Sequence, residues 1–196
     1  MGNGLKIVIE GMDGVGKSTI AKKLATKLNY EYYSSPLASL LCYDNQHSDL
    51  FLKHLNYNVF IEKNSKLLKA WCTGLGNIVC MEQSNQNVVI DRYIGSNYVW
   101  NFSEETKAMF DLLDECLPHP SYTFILYATP DERKKRIKAR NQNDFDLSDD
   151  SVFEDLYPIL IEFMSHYGYN YYVIDTTNKD ANLVLQEILD ILKGVC

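Results

Sequence analysis

Between Gly11 and Ser18 the chain reads Gly-Met-Asp-Gly-Val-Gly-Lys-Ser, which fits the pattern G-x-x-x-x-G-K-[ST] in full. Glycines let a backbone turn tightly and aim several N–H groups at one point. If a helix follows, its N-terminus adds partial positive charge there. A lysine behind the glycines puts a full positive charge beside the outer phosphates of a nucleoside triphosphate. A hydroxyl at the next position can ligate the magnesium ion that bridges those phosphates. An ordinary glycine-rich turn would explain the glycines but not the lysine and serine after them. Gly11, Asp13, Gly14, Val15, Gly16, Lys17, Ser18 and Thr19 are therefore the expected ATP-binding segment, with Mg2+ as cofactor.

A second set of charges stands at Arg133, Arg136 and Arg140, a spacing that lets one helix face present all three. Arginine suits phosphate because its planar fork matches phosphate oxygens. Phosphoryl transfer asks for positioning and charge neutralisation more than for covalent chemistry. Lys134, Lys135 and Lys138, in the same run, read as a solvated face.

These residues need elements to hold them. Apolar runs at 5–9, 88–91, 122–127 and 171–174, with a short one at 30–33, read as strands. Helical spacing marks 18–28, 103–116, 130–140 and 181–192. Residues 37–87 are mostly helical by pattern, with a break expected at Gly74 and Gly76. A helix over 152–167 must kink or restart at Pro158. Strands alternating with helices imply a parallel sheet with helices on both faces, in one α/β domain spanning 1–196.

Composition narrows the partners. The chain has 196 residues, 46% hydrophobic, with a formal net charge of −7. An acidic balance argues against a nucleic-acid polymer as partner. No stretch offers the roughly 18 uninterrupted apolar residues of a membrane helix. No charged leader or apolar signal segment follows Met1, so a cytoplasmic location is expected. Five cysteines lie scattered, without C-x-x-C spacing, and read as reduced thiols. Six Lys or Arg crowd into 133–140, and none occurs from 141 to 178. A local basic cluster in an acidic chain suits a small anionic ligand.

The run Glu10-Gly11-Met12-Asp13-Gly14-Val15-Gly16-Lys17-Ser18-Thr19 resembles the E-G-x-D-G-x-G-K-x-T segment of the thymidylate kinase family. Asp91-Arg92-Tyr93, with Ser96 three residues beyond, is similar to that family's D-R-Y-x-x-S. Pro130-Asp131-Glu132, leading to Arg136 and Arg140, resembles the opening of its lid. Phe153, Tyr157 and Val173-Ile174-Asp175 follow in the family's order. The resemblance implies a P-loop NTPase fold, with five parallel strands flanked by helices and a lid at about 136–150. It implies ATP and a nucleoside monophosphate as partners, and dimers paired through long helices, here over 37–71. In its roles, Lys17 and Ser18 hold the donor phosphates and magnesium, and Asp91 supports the metal. Arg92 clamps the acceptor phosphate, Asp13 orients the acceptor, and Arg136 and Arg140 neutralise the transferring group. Glu10, Phe60 and Tyr93 complete the acceptor side.

Three features depart from the family. Ser34-Ser35-Pro36-Leu37 stands where the family has Arg-Glu-Pro-Gly. Phe60 is followed four residues on by Asn64 instead of arginine, and the lid lacks further arginines. The related deoxynucleoside kinases are the nearest alternative. There the glutamate matching Glu10 would act as base for a nucleoside hydroxyl, because a hydroxyl acceptor benefits from a base and a phosphate does not. Asp91-Arg92-Tyr93 favours the monophosphate kinase over that family's Glu-Arg-Ser. A GTPase is disfavoured because Ala181 occupies the aspartate position of N-K-x-D. Intact Lys17, Ser18, Asp91 and Arg92 argue against a catalytically dead binding protein.

Overall fold

The computed structural model describes residues 4–34, 65–83, 86–142, 144, 147 and 153–195. Among them, β1 (Lys6–Gly11) runs into α1 (Lys17–Leu28) and the short β2 (Glu31–Tyr33). Then come α2 (Lys66–Gln83), β3 (Val88–Asp91), α3 (Ile94–Asn101) and α4 (Lys107–Cys116). The chain continues through β4 (Tyr122–Tyr127), α5 (Pro130–Arg140), α6 (Tyr157–His166), β5 (Tyr171–Asp175) and α7 (Ala181–Val195).

The five strands form one sheet in the order β2-β3-β1-β4-β5, and every pairing is parallel. β1 is buried along its whole length, as an apolar central strand covered on both faces must be. α1 packs on β1, β3 and α7, while α3 packs on β1, α2 and α6. The core centres on Ile7, Ile9, Val89, Ile90, Phe124 and Ile125, all fully buried.

Helix ends follow from local chemistry. α5 begins at the Thr129 cap, whose hydroxyl accepts from the Glu132 amide at 3.4 Å, with Pro130 in its first turn. Asp131 and Glu132 sit in that first turn, and Lys138 and Arg140 in the last, matching the helix dipole at both ends. α6 restarts at Tyr157 with Pro158 in its first turn, where a missing N–H costs nothing.

Some expectations need correction. α2 runs unbroken through Gly74 and Gly76. Gly74 is a packing site, because a β-carbon there would meet Leu113 Cδ1 of α4 at 2.9 Å. α4 begins at Lys107, not at 103, since Ser103 to Thr106 forms a turn in which Thr106 Oγ1 accepts from the Ser103 amide at 2.8 Å. α3 was not anticipated at all. All of 37–64, Phe60 included, lies outside the described residues. Residues 136–140 of the expected lid are the last turns of α5, and beyond them only 141, 142, 144 and 147 are described.

Candidate active site

The phosphate loop leaves the carboxyl end of β1 and enters α1 at Gly16, the helix N-cap. Two of its glycines are steric requirements. Gly11 has φ 134°, and a β-carbon there would lie 2.3 Å from the Leu126 carbonyl oxygen. Gly14 has φ 85°, and its β-carbon would lie 2.8 Å from the Arg133 carbonyl oxygen. Lys17 is buried, and its Nζ donates to the Met12 carbonyl at 2.6 Å, with Asp13 Oδ1 at 3.6 Å. Burial, and then the Arg92 charge, lower its pKa to about 8 against the pull of three carboxylates.

Arg92 follows β3 and holds φ 75°, a left-handed backbone that side-chain-bearing residues seldom adopt. Its amide donates to the Ile9 carbonyl at 3.0 Å, and its guanidinium bonds the Asp13 carboxylate. Burial pushes Asp13 up, but Lys17, Arg92 and Arg133 together outweigh it and hold the carboxyl at about 2. Asp13 is thus an anion shared among cations.

Asp91 ends β3, is buried, and accepts from the Tyr32 hydroxyl at 3.3 Å through Oδ2. Its Oδ1 is buried with no hydrogen-bond partner. An orphaned carboxylate oxygen at the carboxyl end of a strand suits a hydrated magnesium ion. Among the described residues no group of three or more His, Cys, Asp or Glu could hold a metal by itself. That also fits magnesium, which relies on substrate phosphates for much of its coordination.

One open cavity of about 450 Å³ brings the loop together with Lys17 and Arg92, while Asp91 stands outside its lining. Lys17, Ser18 and Thr19 reach it from α1, Arg92 from the end of β3, and Arg136 and Arg140 from α5. Asp13, Gly14 and Gly16 line its loop side, while Val15 is buried beneath. A second cavity of about 190 Å³ adjoins it between Val15, Ile20, Arg136, Thr176 and Val184. Arg136 lies on both and is firmly held. Its Nε pairs with Glu132 at 2.9 Å, Nη2 donates to the Thr176 carbonyl at 2.7 Å, and Nη1 donates to the Thr176 hydroxyl at 3.0 Å. Arg140 is more exposed and pairs with Asp144 at 2.6 Å.

Two expected acceptor contacts stand elsewhere. Tyr93 is 1% exposed and packs in the core at the start of α3, outside the cavity lining. Glu10 is 0% exposed. Its Oε1 accepts from the Tyr93 and Ser96 amides at 2.9 and 3.0 Å, and its Oε2 bonds the Ser96 hydroxyl. The carboxylate therefore satisfies the amino end of α3. Burial raises its pKa, against these hydrogen bonds. Trp71 is half exposed on α2, also away from the cavity.

Sequence reading gave no role to two residues that shape the site, and placed a third wrongly. Tyr32 touches Asp91, and Thr176 anchors Arg136, yet neither belongs to a pattern. Arg133 was expected to share one phosphate-facing helix face with Arg136 and Arg140, but it is 2% exposed beneath the loop and does not line the cavity.

The fold agrees with what the chain resembles. The probable thymidylate kinase of Methanococcus maripaludis strain C6 is 27% identical over 94% of this chain and 92% of its own. The deoxyguanosine kinase of Dictyostelium discoideum is 26% identical over 93% of this chain and 68% of its own. The solved thymidylate kinase of Candida albicans superposes with a TM-score of 0.68 at 20% identity, covering 98% of this chain and 92% of that one. Its likeness carries the fold. The family model described as AAA domain matches residues 7–156, more than half of the sequence, and the chain belongs to that family.

Proposed function

We propose that this protein transfers the γ-phosphoryl group of magnesium-ATP to a (deoxy)nucleoside monophosphate, with dTMP to dTDP as the first candidate. Kinase activity as a class is supported by relatives matched over nearly the whole chain, named as kinases of a nucleotide or a nucleoside. One observation carries the finer reading. Lys17, Arg92, Arg136 and Arg140, drawn from three separate segments, face one cavity beside the phosphate loop. Four cations in one cavity suit a ligand set with phosphate on both sides of the transfer.

The residues divide the work. Gly14, Gly16 and Lys17 bind the donor phosphates. Ser18 and Asp91 would hold magnesium, which neutralises charge on the donor phosphates when bound. Arg92, released from Asp13, takes the acceptor phosphate, and Asp13 is freed to meet the acceptor. Arg136 and Arg140 offset charge on the group in transit.

The second reading is a deoxynucleoside kinase, favoured by the Dictyostelium relative. It needs a base for the 5′-hydroxyl. Glu10 is fully buried, with both oxygens committed to α3. A phosphate acceptor is already ionised and needs none, so the geometry favours the monophosphate. The test is ADP release with magnesium-ATP and a panel of nucleosides and nucleoside monophosphates. Turnover of a monophosphate supports the proposal, and turnover of nucleosides alone replaces it with the second reading.

The molecule also pairs with a second copy of itself in this reading. Leu68, Trp71 and Leu75 form an exposed apolar stripe along α2, at helical spacing. Trp71→Glu should shift the sedimenting species from dimer to monomer. A wild-type monomer at micromolar concentration would end the idea.

A further inference from the structure

Arg133 is an arginine with almost no access to water, directly under the phosphate loop. Its side chain is the largest among the fully buried ones of the described residues. Burying a guanidinium is costly unless its donors are used. Here Nε donates to the Asp13 carbonyl at 2.7 Å. Nη1 reaches the Glu154 carbonyl at 3.5 Å, and the guanidinium lies 5.7 Å from the Phe153 ring centre. The backbone of Arg133 fits against Gly14 so closely that a β-carbon on the glycine would lie 2.8–3.1 Å from it. Side chain and backbone of one residue thus grip consecutive loop residues, Asp13 and Gly14.

We propose that Arg133 is a positioning residue for the phosphate loop: it acts through Asp13 and Gly14 to hold the loop in its binding shape before nucleotide arrives. This deepens the kinase reading and rests on it for its consequence in catalysis. A preformed anion site avoids the ordering cost of binding. Fixing the Asp13 carbonyl also fixes where its carboxylate stands between Lys17 and Arg92. Arg136, one turn further on α5, faces the cavity, whereas Arg133 faces the underside of the loop, so two arginines of one run have different tasks.

The bond can be removed without removing the charge. Lysine at this position puts a methylene where Nε–H stands and moves its donor one atom outward. In nucleotide-free Arg133→Lys, the amides of Gly14 to Lys17 should exchange hydrogen about tenfold faster, with β1 amides unchanged. The dissociation constant of a fluorescent ATP analogue should rise by about tenfold. Loop exchange equal to wild type in a variant that only melts earlier would overturn the proposal, reducing Arg133 to core packing. Arg133→Met serves in place of the lysine variant if that does not fold, judged by the same two readings. If the wild type itself binds no ATP, the kinase reading falls, and the exchange measurement still decides the role of Arg133.

Discussion

Lys17 is only 5% exposed, so its ammonium has little water, and Arg92 adds repulsion. Together these lower its pKa to about 8 from the ordinary lysine value of 10.5, despite Asp13, Asp91 and Glu10. A lysine pKa lowered by folding means that the folded state binds its proton less well than the unfolded state. Its charge therefore costs stability below about pH 8, and that cost fades as pH rises toward 10.5. Lys17→Met should abolish the interaction with donor phosphates and cut turnover by about 10²–10³-fold. It should also leave the melting temperature at pH 7 equal or higher, by roughly 1–3 kcal/mol of relieved burial. Calorimetry from pH 7 to 10.5 should show the gap between the two proteins closing. A variant that melts well below wild type at pH 7 would mean that Lys17 is a structural residue. The motif gave the identity of Lys17, because a phosphate loop demands local sterics and one cation. It could not give Glu10 its role. That glutamate precedes the loop in sequence but spends its carboxylate on the amino end of α3, across a separation that no local pattern reports.

At the level of elements, β1 and β4 meet at the loop. Gly11 is in register with Leu126, and its missing side chain leaves room for the Leu126 carbonyl. Gly11→Ala forces a β-carbon into backbone and a side chain onto φ 134°. The cost should be roughly 2–4 kcal/mol, read as a lower urea midpoint with an unchanged slope. Stability within a few tenths of wild type would mean that the loop accommodates the methyl by moving. Most elements were legible, because apolar runs and helical spacing report burial directly. α3 was not, because beyond Ile94 and Gly95 its buried residues are the polar Ser96, Asn97 and Asn101. They are satisfied by Glu10, by the Ala70 carbonyl and by each other. Hydrophobic periodicity cannot see a helix whose buried side is mostly polar. The break expected in α2 failed for a related reason, since Gly74 serves the approach of α4 and leaves the helix intact.

For the whole molecule, charge is sorted by place. The chain carries −7 overall, yet Lys17, Arg92, Arg136 and Arg140 face one cavity. Such a field concentrates small anions in the cavity while the remaining surface discourages polyanions. Among the described residues, no helix is long and apolar enough to cross a membrane.

The sheet order has one more consequence, which concerns synthesis. β1 lies in the middle, and its partners begin at Val88 on one side and Tyr122 on the other. A nascent chain emerging from the ribosome must therefore carry this fully buried strand without one or both of its partners until β4 arrives. The carbonyl that closes over Gly11 comes from Leu126, so the phosphate loop cannot take its final shape before β4 has been made. The phosphate loop is thus made well before it can be completed, and during that interval β1, a strand bound for burial, stays open to chaperones.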